Sequence, residues 1–345
     1  MEFGIGMFGD AGWDTHTQQY RNAATRLHEI IEEVKYADAL GIDLLAMGEH
    51  HREDYVVSSP ETLLAALSTV TQNITLSSGV NVLSSADPVK LYQDYAMIDL
   101  ISGQRAEIMA GRGSFIESFP LFGQSLHDYK ELFTEKLELL LQLQKGGEIS
   151  WQGKFRPDIQ QQTIFPQAER KIPVWIAVGG TPESVYRAGV LGLPIIFAII
   201  GGNINHFLPL VEYYKKTYLN SGHSPEEMEI GIHSHSYIAD SQEQIVQDYF
   251  STYARQMGKI GKERNWPGKY TETQFINGMD ANGALFMGIP EDVAEKIICV
   301  KEKFGITRFV AHLDVGGPSH PELLRSIELY AQQVIPRVKQ HFNLA

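Results

Sequence analysis

Cysteine is almost missing from this 345-residue chain. The one thiol, Cys299, lies in the helical pattern "EDVAEKIICVKEKF", where it reads as a small buried hydrophobe; neither an intrachain disulfide nor a thiolate metal cluster can form. Basic charge is in deficit. With 29 Lys+Arg against 42 Asp+Glu the formal charge is -13, which excludes the basic surface that displaces phosphate counterions in nucleic-acid binders. Long apolar runs are also wanting: "LGLPIIFAII" is too short to span a bilayer, so no membrane partner is expected. The opening "MEFGIGMF" has an acid where a signal peptide wants basic charge, and the expectation is a cytoplasmic protein. No G-x-G-x-x-G follows the first strand, and there is no phosphate-loop motif, no H-E-x-x-H and no G-x-S-x-G. A built-in nicotinamide-binding unit is therefore not expected.

What is present is an alternation of short apolar runs with longer helical patterns, the mark of βαβ units. Eight runs read as strands: Glu2–Phe8, Asp43–Gly48, Thr75–Leu83, Ala106–Ala110, Val174–Val178, Pro194–Ile199, Glu229–Ile238 and Arg308–Leu313. Helical patterns follow them, with Asp87-Pro88 and Thr181-Pro182 as start signals and Gly41 and Gly103 as stops. The spacing predicts a (β/α)8 TIM barrel occupying residues 1–345 as a single domain, with a doubly wound open sheet as the alternative. Two departures from a plain repeat stand out. "GEISWQGKFRPD" reads as a small hairpin after the fourth helix, and Gly258–Ala284 as a long irregular excursion before the eighth strand, suited to a mobile lid.

Barrel chemistry sits where strands end. Those ends offer Phe8-Gly9-Asp10, Glu49-His50-His51-Arg52, Asn81, Gly111-Arg112-Gly113-Ser114, Gly179-Gly180-Thr181, His233 with His235, and His312 with Asp314. Gly111 and Gly113 let backbone approach a ligand, Arg112 offers a planar fork for phosphate, and Ser114 adds a hydroxyl. Gly179-Gly180 leads into a capped helix whose amides near Glu183 and Ser184 favour an anion. His50 and His51 point to opposite sides of an extended strand and cannot share a metal; His233 and His235 share a face, so a metal site completed by Asp314 or His312 is an alternative reading. Phe8, Phe115 and Phe119 are candidates for an apolar substrate wall.

Three stretches carry a further signal: "GEHHREDYVVSSPETLLAAL", "SSGVNVLSSADPVKLYQDYAMIDLISGQRAEIMAGRGSFIESFPLFG" and "VWIAVGGTPESVYRAGVLGLPII". With "GIPEDVAEKI" and "GITRFVAHLDVGG" they make a chain that resembles the bacterial luciferase-like, flavin-dependent monooxygenases through most of its length. The resemblance implies FMN as cofactor and a homodimer. It makes His50 the acid–base group beside the flavin, with Glu49 orienting it or bonding the loop, and Arg112 the phosphate ligand. Gly111, Gly113, Ser114, Gly179, Gly180 and Ser184 assist, and Gly79, Val80 and Asn81 mark a bulge under the ring, sometimes formed through a non-prolyl cis bond. Bacterial luciferase has a reactive cysteine where Gly111 stands, so thiol sensitivity is not implied, and nothing identifies an aldehyde site or light emission.

The function expected is oxygenation of a small organic substrate by reduced FMN and dioxygen, the reduced flavin coming from a separate reductase because no nicotinamide motif is visible. The alternatives are a deazaflavin-dependent oxidoreductase of the same superfamily and a non-catalytic flavin-binding protein.

Overall fold

The computed structural model describes residues 1–113 and 115–344, so the expectation for Ser114 falls outside the described residues. The short apolar runs become parallel strands β1 (Glu2–Met7), β2 (Leu44–Met47), β3 (Thr75–Ser78), β4 (Ala106–Gly111), β5 (Val174–Val178), β6 (Ile195–Ala198), β7 (Ile230–Ile238) and β8 (Arg308–His312). Pairing runs β5-β6-β7-β8-β1-β2-β3-β4 and returns from β4 to β5. This closes a (β/α)8 barrel and excludes the open sheet, which would leave two free edges.

Among the described residues, ten helices of eight residues or more pack around or above it: α1 (Ala23–Ala39), α2 (Pro60–Ser68), α3 (Pro88–Ser102), α4 (Tyr129–Leu143), α5 (Pro182–Leu191), α6 (Leu208–Asn220), α7 (Phe250–Glu263), α8 (Glu272–Met279), α9 (Pro290–Phe304) and α10 (His320–Leu329). Their ends follow local chemistry. The Asp87 carboxylate accepts the Val89 and Lys90 amides at the start of α3, Pro88 needs no amide partner there, and Gly103 closes the helix at φ 72°. Among the described residues, no helix is long and apolar enough to cross a membrane.

Four sequence expectations change. The third strand ends at Ser78 rather than Leu83; the Gly79–Val80 peptide is cis, and Asn81–Val82 then pairs with the end of β4. The hairpin pairs Glu148–Trp151 with Ile159–Thr163, so its second strand lies beyond the stretch that suggested it. The Gly258–Ala284 excursion is substantially ordered: α7 runs on to Glu263, and α8 begins at a capping box in which Thr271 and Gln274 satisfy each other's backbone amides. Just after it, Phe286–Gly288 adds a short strand beside the outer end of β7. Cys299 is half-buried rather than buried.

Strand alternation splits the apolar residues into two layers. Phe3, Ile5 and Met7 face the helices, while the bore is filled by Leu44, Ala46, Met109, Trp175, Ile196 and Val310. Gly4, Gly6 and Gly9 have G-x-G-x-x-G spacing, but the first two lie inside β1. A Cβ on Gly4 would stand 2.5 Å from Leu44 and one on Gly6 2.5 Å from His233 Nε2, so these glycines make room in the bore. At the N-terminal end the bore is stoppered by an ion pair between strands four places apart in the ring of eight: Arg308 donates to both Glu107 oxygens, at 2.7 and 2.9 Å, and lies 3.8 Å over the Trp175 ring.

Candidate active site

At the opposite end, the C-terminal tips of the eight strands surround a cavity of about 1150 Å³. That exceeds the roughly 300–1,000 Å³ of ordinary small-molecule pockets, leaving room for a cofactor and a second molecule. Of the residues singled out from sequence, Glu49, His50, Gly79, Val80, Gly111, Arg112, Gly113 and Gly179 line it. Asn81, Gly180 and Ser184 are not among the lining residues. Asn81 is turned away into the wall, where its amide donates to Glu61 and its oxygen accepts the Tyr95 hydroxyl at 2.7 Å. Ser184 is buried, and its amide donates to the Thr181 carbonyl at 3.1 Å instead of standing free for an anion. Of the expected apolar wall only Phe8 lines the cavity. Phe115 packs beside His50 with ring centroids 5.1 Å apart, and Phe119 is fully buried against Tyr129.

The turns after β4 and β5 meet around Arg112. Its Nη2 donates to Thr181 Oγ1 at 3.1 Å, and its guanidinium lies 4.7 Å over the Tyr129 ring. Thr181 occupies the N-cap of α5 but makes no side-chain capping bond, leaving its hydroxyl to Arg112. Gly113 has φ +79°, a backbone state that side chains disfavour. A Cβ on Gly179, Gly201 or Gly202 would meet nothing within 4 Å, and all three line the cavity. Bare backbone therefore borders open space beside a fixed cation, a cradle that fits a phosphate-bearing planar cofactor.

Across the cavity stand four lining histidines, His50, His233, His235 and His312, with Phe8 among them. His50 is wedged between Tyr55 and Phe8, at 4.2 and 5.0 Å between ring centroids, and its Nε2 has no hydrogen-bond partner among the described residues. Burial, with the charges of His312 and Arg52, pushes its imidazole down to about 3. Burial and His312 likewise hold His233 and His235 well below the ordinary histidine value. Glu49 serves the loops: one oxygen lies 3.0 Å from His51 Nε2 and the other accepts the Val82 amide at 2.8 Å.

The metal alternative, His233 and His235 completed by Asp314 or His312, is not the cluster that forms: neither His233 nor His235 belongs to the group of ligand atoms that converges among the described residues. Asp10, His312 and Asp314 bring ligand atoms within 4.8 Å of one another. The Asp314 carboxylate, however, already accepts the amides of Phe8, Gly9 and Asp10 at 2.9, 2.8 and 3.3 Å. His312 Nε2 lies 3.1 Å from Oδ1, the oxygen that also accepts the Phe8 amide, and Arg26 Nη2 stands 3.7 Å from Oδ2. A guanidinium and several N–H donors occupy the lone pairs that a cation would need. Burial alone would raise Asp314, but the bond and charge of His312, with Arg26 and the Phe8 amide, hold it below the usual carboxylate range; burial and Asp314 together push Asp10 well up.

Sequence reasoning missed Tyr129, which carries the Arg112 guanidinium, and Tyr253, whose hydroxyl lies 2.9 Å from His235 Nδ1. Both sit on helices, outside the strand-end search. It passed over Trp266 and Gln274 individually, although both line the upper cavity and the capping-box spacing at Thr271 was a signal for an ordered element there.

A family model described as luciferase-like monooxygenase matches residues 1–308. The uncharacterized protein y4wF of Sinorhizobium fredii is 28% identical over 56% of this chain and 54% of its own length, so the chain spans about half of that relative. Limonene 1,2-monooxygenase of Rhodococcus erythropolis is 24% identical over 92% of this chain and 82% of its own. Among solved structures, the oxygenating constituent of 3,6-diketocamphane monooxygenase from Pseudomonas putida, in complex with FMN, superposes with a TM-score of 0.77 at 19% identity, over 98% of both chains. The coenzyme F420-dependent tetrahydromethanopterin reductase of Methanopyrus kandleri does so with a TM-score of 0.74 at 20% identity, over 98% of this chain and 99% of its own. These two share the fold, and the family match, spanning β1 to β7 and reaching the first residue of β8, places this chain in the luciferase-like monooxygenase family.

Proposed function

We propose that this protein is an FMN-dependent oxygenase that inserts oxygen from dioxygen into a small organic substrate. The observation that carries the reading is the Arg112–Thr181 pair, fixed beside bare glycine backbone at the rim of a cavity whose far wall holds neutral histidines. Arg112, Thr181, Gly113 and Gly179 would hold the phosphate, and Gly79 and Val80 would lie under the ring. Reduced FMN, when bound, supplies the activation of dioxygen.

The chain's own part is to bind, to exclude water and to move a proton. His50, neutral across the physiological range, can accept a proton at Nε2 and return it, and the aromatic rings around it keep that atom away from solvent. Residues of the excursion, among them Gly261, Trp266 and Gln274, line the upper cavity and would serve as its lid. Electrons would come from a separate flavin reductase; the diketocamphane neighbour, itself named an oxygenating constituent, supports that division. A homodimer is part of the reading. Val70, Met97, Leu100 and Ile101 expose apolar surface on or beside α2 and α3, a face suited to a second copy. A deazaflavin in place of FMN is the second reading, favoured by the F420-dependent neighbour of the same fold.

Titration with FMN, read by flavin fluorescence, tests the proposal. Charge-assisted bonds to phosphate are each worth about 1.5–3 kcal/mol, so Arg112→Ala is expected to weaken FMN on the order of a hundredfold. Equal affinity in the two proteins would remove Arg112 from the phosphate site. Failure of FMN to bind wild type, with a deazaflavin binding instead, would decide for the second reading.

A further inference from the structure

Directly after the His50-His51 pair stands a side chain with more ionic partners than either. Arg52 is nearly buried, at 7% exposure, and reaches three separate segments. Its Nε donates to Asp54 at 3.1 Å, within its own loop after β2. Nη1 donates to Glu117 at 2.8 Å, in the segment that follows β4. Nη1 and Nη2 together grip Glu263 at 2.6 Å each, at the last turn of α7, where the chain enters the excursion over the cavity. The guanidinium also lies 4.4 Å over the ring of Phe115, the ring that packs edge-on against His50.

Neighbouring bonds tie the same elements. Gln256 of α7 donates to Asp54 at 3.1 Å and to the Tyr55 hydroxyl at 2.9 Å, and Lys259 lies 3.0 Å from Asp54. Tyr55 is a second ring closing on His50, with Phe8 the third. Two of the three rings around the His50 imidazole, and the helix leading into the excursion, are therefore tied to Arg52, Phe115 directly and Tyr55 through Gln256 and Asp54. A planar cation with five donors can hold three carboxylates in fixed directions, which a lysine's single ammonium cannot.

We propose that Arg52 is a positioning residue that locks the loop of His50, the Phe115 segment and the end of α7 into one unit, so that the cavity's cover and its proton-carrying histidine are held in place together. The role given to His50 rests on the oxygenase reading; the locking does not.

The test compares wild type with Arg52→Ala, Arg52→Lys and Glu263→Gln, each without cofactor. Amide hydrogen exchange is followed by mass spectrometry, and the His50 ring by NMR across pH, with FMN affinity measured separately on the same samples. In Arg52→Ala, exchange is expected to quicken at least tenfold in residues 50–57, 115–122 and 250–263 together, with strand amides unchanged. The His50 resonance should begin to titrate at higher pH than in wild type, since the charge of Arg52 lowers it together with burial and His312, against Asp54 and Asp314, which raise it. Arg52→Lys should restore the His50 titration while leaving α7 loosened, and Glu263→Gln should free α7 alone. Loosening confined to residues 50–57 in Arg52→Ala, or complete rescue by lysine, would overturn the proposal. Should Arg52→Ala fail to fold, Arg52→Lys and Glu263→Gln decide it: protection of 250–263 unchanged in both would refute the lock. Loss of FMN binding by wild type would instead count against the oxygenase reading and leave this result standing.

Discussion

Stability is expected to fall as pH drops from 6.5 toward 4. The folded protein holds His50 down to about 3, and His233 and His235 are also well below the ordinary 6.5, with burial the largest cause in each. An unfolded chain binds protons at these three sites from about pH 6.5 downward, while the folded one refuses them. Their contribution is therefore complete above the unfolded value and is lost as pH falls, each site costing about 1.4 kcal/mol per unit. Asp10 works the other way. Its carboxyl, raised by burial and by Asp314, takes a proton in the folded state before the unfolded state does, offsetting one of the three. Glu61 and Glu229, raised chiefly by burial, act in the same sense as Asp10, so the net loss is smaller than the three histidines alone would give. Urea denaturation at steps between pH 7 and 4.5 measures the slope, and His50→Leu should flatten it by about 1.4 kcal/mol per unit. Equal slopes for wild type and His50→Leu would show that water reaches this histidine and that its neutrality is not enforced by the fold.

Glu107→Ala is expected to cost on the order of 3–5 kcal/mol, the penalty for leaving a buried charge without its partner. Arg308 is only 3% exposed, and its other carboxylate partner, Glu2, sits at the rim, 45% exposed. Burial alone would lower the Arg308 guanidinium, yet the charge and hydrogen bonds of Glu107 hold it above its ordinary value. Glu107 in turn accepts the Ser77 hydroxyl at 2.8 Å, so its removal strands donors on two strands. The double change Glu107→Leu with Arg308→Met should cost much less than Glu107→Ala, because no charge is then buried unpaired and the methionine can still pack on Trp175. Denaturant midpoints for the three proteins check this; equal losses in the single and double variants would mean that packing, not pairing, holds this end of the barrel.

The barrel could be read from the sequence because its signals are local. Runs such as "VWIAV" and "RFVAH" are short, apolar and bounded by turn residues, and Pro88, Gly103 and Pro290 punctuate helices where they must. The excursion misled because Gly258, Gly261 and Gly268 look like loop. Gly261 is in fact where the Trp266 ring folds back, with an added Cβ only 3.1 Å from it. At the site, Arg112 and its glycines were legible because a turn after a buried strand leaves few directions for a side chain. Asn81 and Ser184 show the limit: sequence position placed them near the cavity, but partners distant in the chain, such as Tyr95, decided which way Asn81 points. The Arg52 network was beyond reach for the same reason, since Glu117 and Glu263 lie 65 and 211 residues away.

The stopper formed by Arg308, Glu107 and Trp175 also sets an itinerary. With the bore closed at its N-terminal end, the cavity is reached from the end where the strand tips and Trp266 lie. A molecule seated deep against Phe8 and His312 must then arrive before any companion that covers it and depart after it. The order of binding and release is written into the closure of the barrel's far end, not into the affinity of either ligand.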